Sequence, residues 1–311
     1  MSVVEKAGAN VLKATFDKKG KKKNKERSKE LRDDIDPTPT RDAPEALDLD
    51  YARLGRMGFY TPNDRSSQLA LELRAVKRRL LRRIGYLRSS GERQAFRTPG
   101  KQRNLILVTS TRAGEGKTFT AINLAMSLAL EDQIETLLID ADLARPKVRD
   151  QLDLPPMAGL HDRIKDPKLD IATMGWRLND APMSILPEGA HGERPTDLFA
   201  LAAAQQMWTD IAMGNPHRLV IIDAPPVLAA TDAVMLAKYA DEIVFIVEAN
   251  STPEAAVAAA VDELIDINPN VSLMLNRCQI GAGGAHYGSY EYYDRSESVK
   301  TPAAQKPSIE G

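Results

Sequence analysis

In the stretch TSTRAGEGKTFTAIN, Thr109 to Asn123, two glycines, a lysine and a threonine stand at a spacing that can hold phosphate. Gly114 and Gly116 let the backbone curl so that successive amides point inward at phosphate oxygens. Lys117 brings a positive charge toward the β- and γ-phosphates, and the Thr118 hydroxyl is placed to bind Mg²⁺. Arg112, Ala113, Glu115 and Phe119 complete the run that would line a nucleotide. Such loops usually open with glycine, and this chain has Thr111 there. The change costs turn freedom but removes no phosphate-facing amide. The short motif is common by chance, so its context matters. It follows the apolar run NLILVTS and opens a helix, whose N-terminus adds its own amides and positive dipole end.

Two further stretches carry carboxylates. LLIDADLARP puts Asp140 and Asp142 at the end of one apolar run, and LVIIDAPP puts Asp223 at the end of another, stopped by Pro225 and Pro226. Acids at strand ends often only cap the next helix. Three of them converging on a phosphate loop are better explained by Mg²⁺ coordination, directly or through water, with one left as a base. These residues predict ATP and Mg²⁺ as cofactors.

Residues so far apart must be brought together by the fold. From Asn104, short β-rich runs alternate with helical stretches: NLILVTS, KTFTAINLAMSLALED, TLLIDAD, a long middle segment, LVIIDAPP, ATDAVMLAKYA, EIVFIVEAN, EAAVAAAVDELID and VSLMLNRC. Unbroken apolar strands alternating with helices predict an α/β fold, a mainly parallel β-sheet flanked by helices on both faces. Ligands on such sheets bind at the carboxyl ends of the strands. Ser110, Asp140, Asp223 and Asn276 are therefore expected along one edge. The middle segment, about Val148 to His217, carries PPMAGLHDRI and LPEGAHGERP with the Arg194-Pro195 pair, and suggests no chemistry of its own.

The 311 residues suit one α/β domain of about 200 residues with appendages, and an apolar content of 43% supplies a core. Cys278 is the only cysteine, which excludes an internal disulfide and a Cys-rich metal site and fits a reducing cytoplasm. A net charge of -1 hides a cationic arm, KKGKKKNKERSKELR from Lys18 to Arg32. That arm is either a solvated tail or a hold on an anionic membrane surface or acidic partner. It has no interleaved aromatic residue to stack on bases, so nucleic acid is not expected. The Pro- and Asp-rich stretch DDIDPTPTRDAPEALDLD follows, and residues 1–65 are expected to hold little fixed structure. The domain proper is expected over 66–280. It opens with a basic helix over 67–88, where Leu69, Leu73, Val76 and Leu80 recur at helical steps. That stripe predicts docking on its own domain, with subunit contact or membrane binding as other options. After Gly281 apolar periodicity stops, which predicts a flexible tail, 281–311, holding Tyr287, Tyr290, Tyr292 and Tyr293. Neither a signal peptide nor an apolar run long enough to span a membrane is visible.

Taken together, TRAGEGKT, LLIDADLARP, LVIIDAPP and the tyrosine-rich tail resemble the cytoplasmic kinase domain of the bacterial tyrosine autokinases of exopolysaccharide export, the BY-kinases. The likeness covers about residues 67 to 293. MSVVEKA and GKTFTAINLAMSLAL look like the subgroup tied to exosortase and PEP-CTERM polysaccharide loci. The resemblance implies a P-loop NTPase fold and ATP-dependent phosphorylation of the chain's own tail tyrosines in trans, within a homo-oligomer. It also implies that Lys117 and Thr118 handle phosphate and Mg²⁺, that Asp142 and Asp223 support the metal, that Asp140 is the candidate base, and that Asn276 sits near adenine. The implied partner is the membrane chain-length-determining protein of the export system, which would hold this cytoplasmic chain at the inner membrane.

The sequence departs from the family pattern twice. The Arg of DxDxR is replaced by Ala144, with Arg145 one residue later, and the ExxRxxR helix motif has Leu71 for its Glu and Lys77 for its second Arg. Two other readings use the same fold. One is a partition ATPase of the Min and Par type, whose loop carries an extra lysine where this chain has Arg112. The other is a nucleotide-dependent adaptor that transfers phosphate poorly or not at all.

Overall fold

The computed structural model describes residues 44–86, 97–98, 101–189, 198–215 and 217–278. In β4 (Leu105–Ser110) the side chains alternate between two cores, Ile106 and Val108 in one, Leu105 and Leu107 in the other. β8 (Arg218–Asp223) and β9 (Glu242–Glu248) do the same, with Leu219, Ile221, Val244 and Ile246 against Val220, Ile222, Ile243 and Phe245. A strand covered on both faces has no wet side, which is why these runs read as unbroken apolar sequence.

The other strands of this sheet are β1 (Glu45–Leu47), β5 (Glu135–Asp140), β6 (Trp176–Leu178), β7 (Met183–Leu186) and β10 (Val271–Asn276). The order is β1-β6-β7-β5-β8-β4-β9-β10, and every pairing is parallel except β6 with β7. A separate antiparallel pair joins Arg97–Thr98 (β2) to Lys101–Gln102 (β3). One face of the sheet is covered by α1 (Tyr51–Arg56), α2 (Gln68–Arg83), α3 (Lys117–Ala129) and α4 (Val148–Leu152). The other is covered by α5 (Leu160–Lys165), α6 (Ala202–Gly214), α7 (Thr231–Ala237) and α8 (Glu254–Ile265). The predicted mainly parallel sheet with helices on both faces is what forms.

The basic helix is α2. Ser67 caps it by accepting from Ala70 N at 3.1 Å, and it ends before Gly85, whose φ of 81° favours glycine. Leu69, Leu73 and Leu80 are buried and Val76 is half-buried, so the apolar stripe docks on its own domain. Lys77 also points inward. Its Nζ donates to Ser127 O at 3.0 Å and pairs with Glu131 at 2.8 Å.

Residues 44–65 differ from the linker expected there. Beyond β1 and α1, which Asp50 caps, Leu54 is 1% exposed and Phe59, Tyr60 and Thr61 are buried. Tyr60 N donates to Asn123 Oδ1 of α3 at 2.6 Å, and the Phe59 and Phe119 rings lie 4.9 Å apart. A few apolar side chains find places on a preformed surface, and their burial outweighs the Pro- and Asp-rich composition around them. The middle segment also contributes α4, α5, α6 and the β6–β7 hairpin. The basic arm, Arg194 and Pro195, and the tail with Tyr287, Tyr290, Tyr292 and Tyr293 lie outside the described residues. Among the described residues no helix is long and apolar enough to cross a membrane.

Candidate active site

The loop between β4 and α3 owes its shape to glycine. Gly114 and Gly116 have φ of 97° and 95°, a region that L side chains rarely adopt. Space is limiting as well at Gly116, where a Cβ would lie 2.1 Å from Asn276 Nδ2. Gly116 is also the N-cap of α3 and offers no side-chain acceptor to the first-turn amides, which suits them to an anion.

The strand register delivers the acids. Asp140 and Asp223 are direct partners across β5 and β8, and β4 lies beside β8. The Lys117 ammonium stands 2.8 Å from Asp142 Oδ2 and 3.6 Å from Asp223 Oδ1. Burial pulls its pKa down, but the Asp223 and Asp142 charges outweigh this and leave it raised. The Thr118 hydroxyl donates to Asp223 Oδ2 at 2.6 Å. Asp223 is fully buried, and burial pushes its pKa up to about 6 against the opposing pull of Lys117. The structure thus brings Lys117, Thr118, Asp142 and Asp223 into one cluster.

Asp140 has a different environment from the one expected of an accessible base. It is fully buried, with Oδ2 accepting from Lys147 N at 3.0 Å and Val148 N at 2.9 Å, and Oδ1 accepting from Asp142 N at 3.2 Å. These bonds shape the turn that carries Asp142 and start α4. Burial, then the Asp223 and Glu188 charges, hold its pKa well above the carboxylate range.

The remaining loop residues divide by role. Arg112, Ala113 and Gly114 are exposed. The Phe119 ring packs against that of Phe59, which leaves only its backbone amide to face the loop. The Glu115 carboxylate is buried inside the loop, and Asn276 Nδ2 donates to Glu115 O at 2.8 Å, which puts Asn276 against the loop backbone. Sequence reasoning missed Glu188, whose buried carboxylate accepts from Arg149 Nε at 3.0 Å, and Thr252, whose hydroxyl donates to Glu115. Glu188 gives no local signal because it follows a four-residue strand. Thr252 could have been found, since it ends the run EIVFIVEANST just before α8.

The donor set fits a nucleotide with Mg²⁺. Asp223 Oδ1 is buried and accepts no hydrogen bond, and Asp142 and the Thr118 hydroxyl add hard oxygen donors beside it. No cluster of three or more His, Cys, Asp or Glu suited to a metal occurs among the described residues.

The chain is 28% identical over 204 residues to the tyrosine-protein kinase YwqD of Bacillus subtilis, covering 65% of this chain and 83% of that relative. It is 26% identical over 200 residues to the tyrosine-protein kinase wzc of Salmonella typhimurium, where it spans only 27% of the relative. Among solved structures it is similar to the VpsO kinase domain, at 25% identity with a TM-score of 0.53, covering 66% of this chain and 98% of that one. The kinase domain of the Escherichia coli tyrosine kinase ETK shares the fold at 21% identity with a TM-score of 0.59, covering 74% of this chain and 83% of that one. The family model of the CobQ/CobB/MinD/ParA nucleotide binding domain matches residues 106–273, from the first apolar strand of the loop to the last strand of the sheet. More than half of the chain lies within that match, and the chain belongs to the CobQ/CobB/MinD/ParA nucleotide-binding domain family.

Proposed function

We propose that this protein is an ATP-dependent protein-tyrosine kinase of the BY-kinase type that phosphorylates its own C-terminal tyrosines and regulates exopolysaccharide polymerisation and export. The observation that carries the reading is the Lys117 ammonium held between Asp142 and Asp223, with the Thr118 hydroxyl on the same Asp223, at the mouth of a loop built on two left-handed glycines. Relatives named as tyrosine-protein kinases support it.

The loop amides from Ala113 to Phe119 and the Lys117 ammonium hold the phosphates in this reading, Arg112 closes the loop through the Glu115 carboxylate, and Thr118, Asp142 and Asp223 hold the metal. When bound, Mg²⁺-ATP supplies the transferable phosphoryl group and the charge that offsets it. Phosphoryl transfer needs positioning and neutralisation more than covalent chemistry from the protein. Tyr287, Tyr290, Tyr292 and Tyr293 are the proposed acceptors, presented by a neighbouring copy. Asp140 is the proposed acceptor of the tyrosine proton. Its three backbone-amide bonds have to be shared or released for it to act. Asn276 is proposed on the nucleoside side.

We also propose a homo-oligomer at the inner membrane, held there by a chain-length-determining partner and by the basic arm on anionic lipid. Its subgroup is the exosortase/PEP-CTERM-associated one, on the strength of MSVVEKA and GKTFTAINLAMSLAL. A partition-type ATPase is less well supported, because Arg112, at the position of that group's extra lysine, donates to Ser251 O of its own chain at 3.1 Å.

The test is incubation with γ-labelled ATP and Mg²⁺, with and without membranes holding the candidate partner. Label on tail tyrosine is expected. It should disappear in Lys117→Ala and in the chain with all four tail tyrosines changed to Phe. Free phosphate without labelled protein would favour the ATPase, and nucleotide binding with neither product would favour the adaptor.

A further inference from the structure

Glu115 stands between the two glycines of the loop, yet it is only 1% exposed. A buried carboxylate is costly unless it is fully hydrogen-bonded, and each oxygen of this one has its own partner. Oε2 accepts from Arg112 N at 2.8 Å, closing the loop on itself. Oε1 accepts from the Thr252 hydroxyl, in the turn between β9 and α8. Arg112 holds the same turn a second time through Ser251 O, and Asn276, at the end of β10, donates to Glu115 O. The turns that follow β4 and β9 and the end of β10, neighbours in the sheet, are therefore joined through one residue.

The aspartates stand on the opposite flank, at the ends of β8 and β5. Phosphates held with a metal on that flank leave the β9 and β10 side for the nucleoside. We propose that Glu115 is a positioning residue for the nucleotide: it fixes the phosphate loop to the Ser251–Thr252 turn, so that the phosphate-facing amides and the nucleoside-side wall are presented as one preassembled surface. Ordering of the two parts is then complete before the ligand arrives, and less affinity is lost to it. The proposal rests on reading the loop as a nucleotide site and needs no phosphoryl transfer.

The experiment uses the full chain and a fluorescent ADP analogue with Mg²⁺, together with hydrogen exchange at residues 250–252 of the nucleotide-free protein. Glu115→Ala and Thr252→Val are each expected to raise Kd about tenfold, and the double variant should bind no more weakly than Glu115→Ala alone, because both remove one shared contact. Glu115→Gln, which retains one acceptor oxygen, should fall between wild type and Ala. Exchange in the turn should quicken in both single variants. Additive losses in the double variant, or an unchanged Kd beside faster exchange, would overturn the proposal. If Glu115→Ala does not fold, Glu115→Gln and Thr252→Val carry the same comparison. A wild type that binds ADP but never labels tyrosine would defeat the kinase reading and leave this one standing, whereas a wild type that fails to bind ADP would overturn both.

Discussion

The Thr118 hydroxyl donates to Asp223 Oδ2 at 2.6 Å, so the first turn of α3 is tied to the end of β8 by a side chain that also serves as a metal donor in the proposed site. Asp223→Asn should abolish phosphoryl transfer and flatten the pH dependence of stability in the nucleotide-free protein. The carboxyl is fully buried with its pKa pushed up to about 6, so between about pH 4 and pH 6 the folded chain binds more protons than the unfolded one. The stability contributed by this group is therefore greatest at low pH and falls as pH rises through that window. Removing the charge should remove this pH dependence, while the buried Lys117 ammonium loses one of its two carboxylate partners. Thermal melts of both proteins from pH 4 to pH 8 check this, and a variant whose stability falls between pH 4 and pH 6 as steeply as wild type's would contradict it.

Asp140→Asn separates two roles. Its oxygens serve three backbone amides, and the substituted NH₂ would face donors rather than accept from them. A loss of about 1–3 kcal/mol is expected for leaving such buried amides unmet, visible as a lower Tm without nucleotide. A variant that melts like wild type while losing phosphoryl transfer would show a base and no positioning role.

Leu54→Ala tests whether residues 44–65 belong to the domain. At 1% exposure, Leu54 should cost about 2–5 kcal/mol when truncated, as a core leucine does. Denaturant unfolding measures it, and a change below half a kcal/mol would return the segment to the linker it was expected to be.

Lys77 takes the place of the second Arg in the ExxRxxR helix pattern of the BY-kinases this chain resembles, a position where an assembly contact is proposed, but its ammonium is engaged by Ser127 O and Glu131 of its own chain. Lys77→Ala should therefore lower Tm and leave the oligomeric state unchanged. Light scattering before and after the substitution decides this. A change of subunit number would place Lys77 in the assembly contact.

Four of the strands that carry the site, β4, β5, β8 and β9, were legible because each is buried on both faces and ends in a polar residue, as LLID and LVIID do, whereas β10 at the sheet edge leaves Leu273 and Leu275 exposed. β1, β6 and β7 were not, being only three or four residues long, with partners that local sequence cannot reveal. Residue types located Asp140, Glu115 and Phe119 near the phosphate loop. They could not tell that Asp140 would turn to the amides of Lys147 and Val148, that Glu115 would fold inward, or that the Phe119 ring would meet Phe59. Those orientations depend on neighbours supplied by distant parts of the chain.

The strand order has a consequence for how the protein is made. Leu105 finds its partner at Val220, and Glu45 at Trp176, so strands synthesised early wait for strands synthesised much later. Such non-local parallel pairing folds slowly and leaves apolar strands unprotected meanwhile. The phosphate loop emerges from the ribosome long before the β8 aspartate that completes its site, so nucleotide can assist only the last stage of folding, after β8 has joined β4.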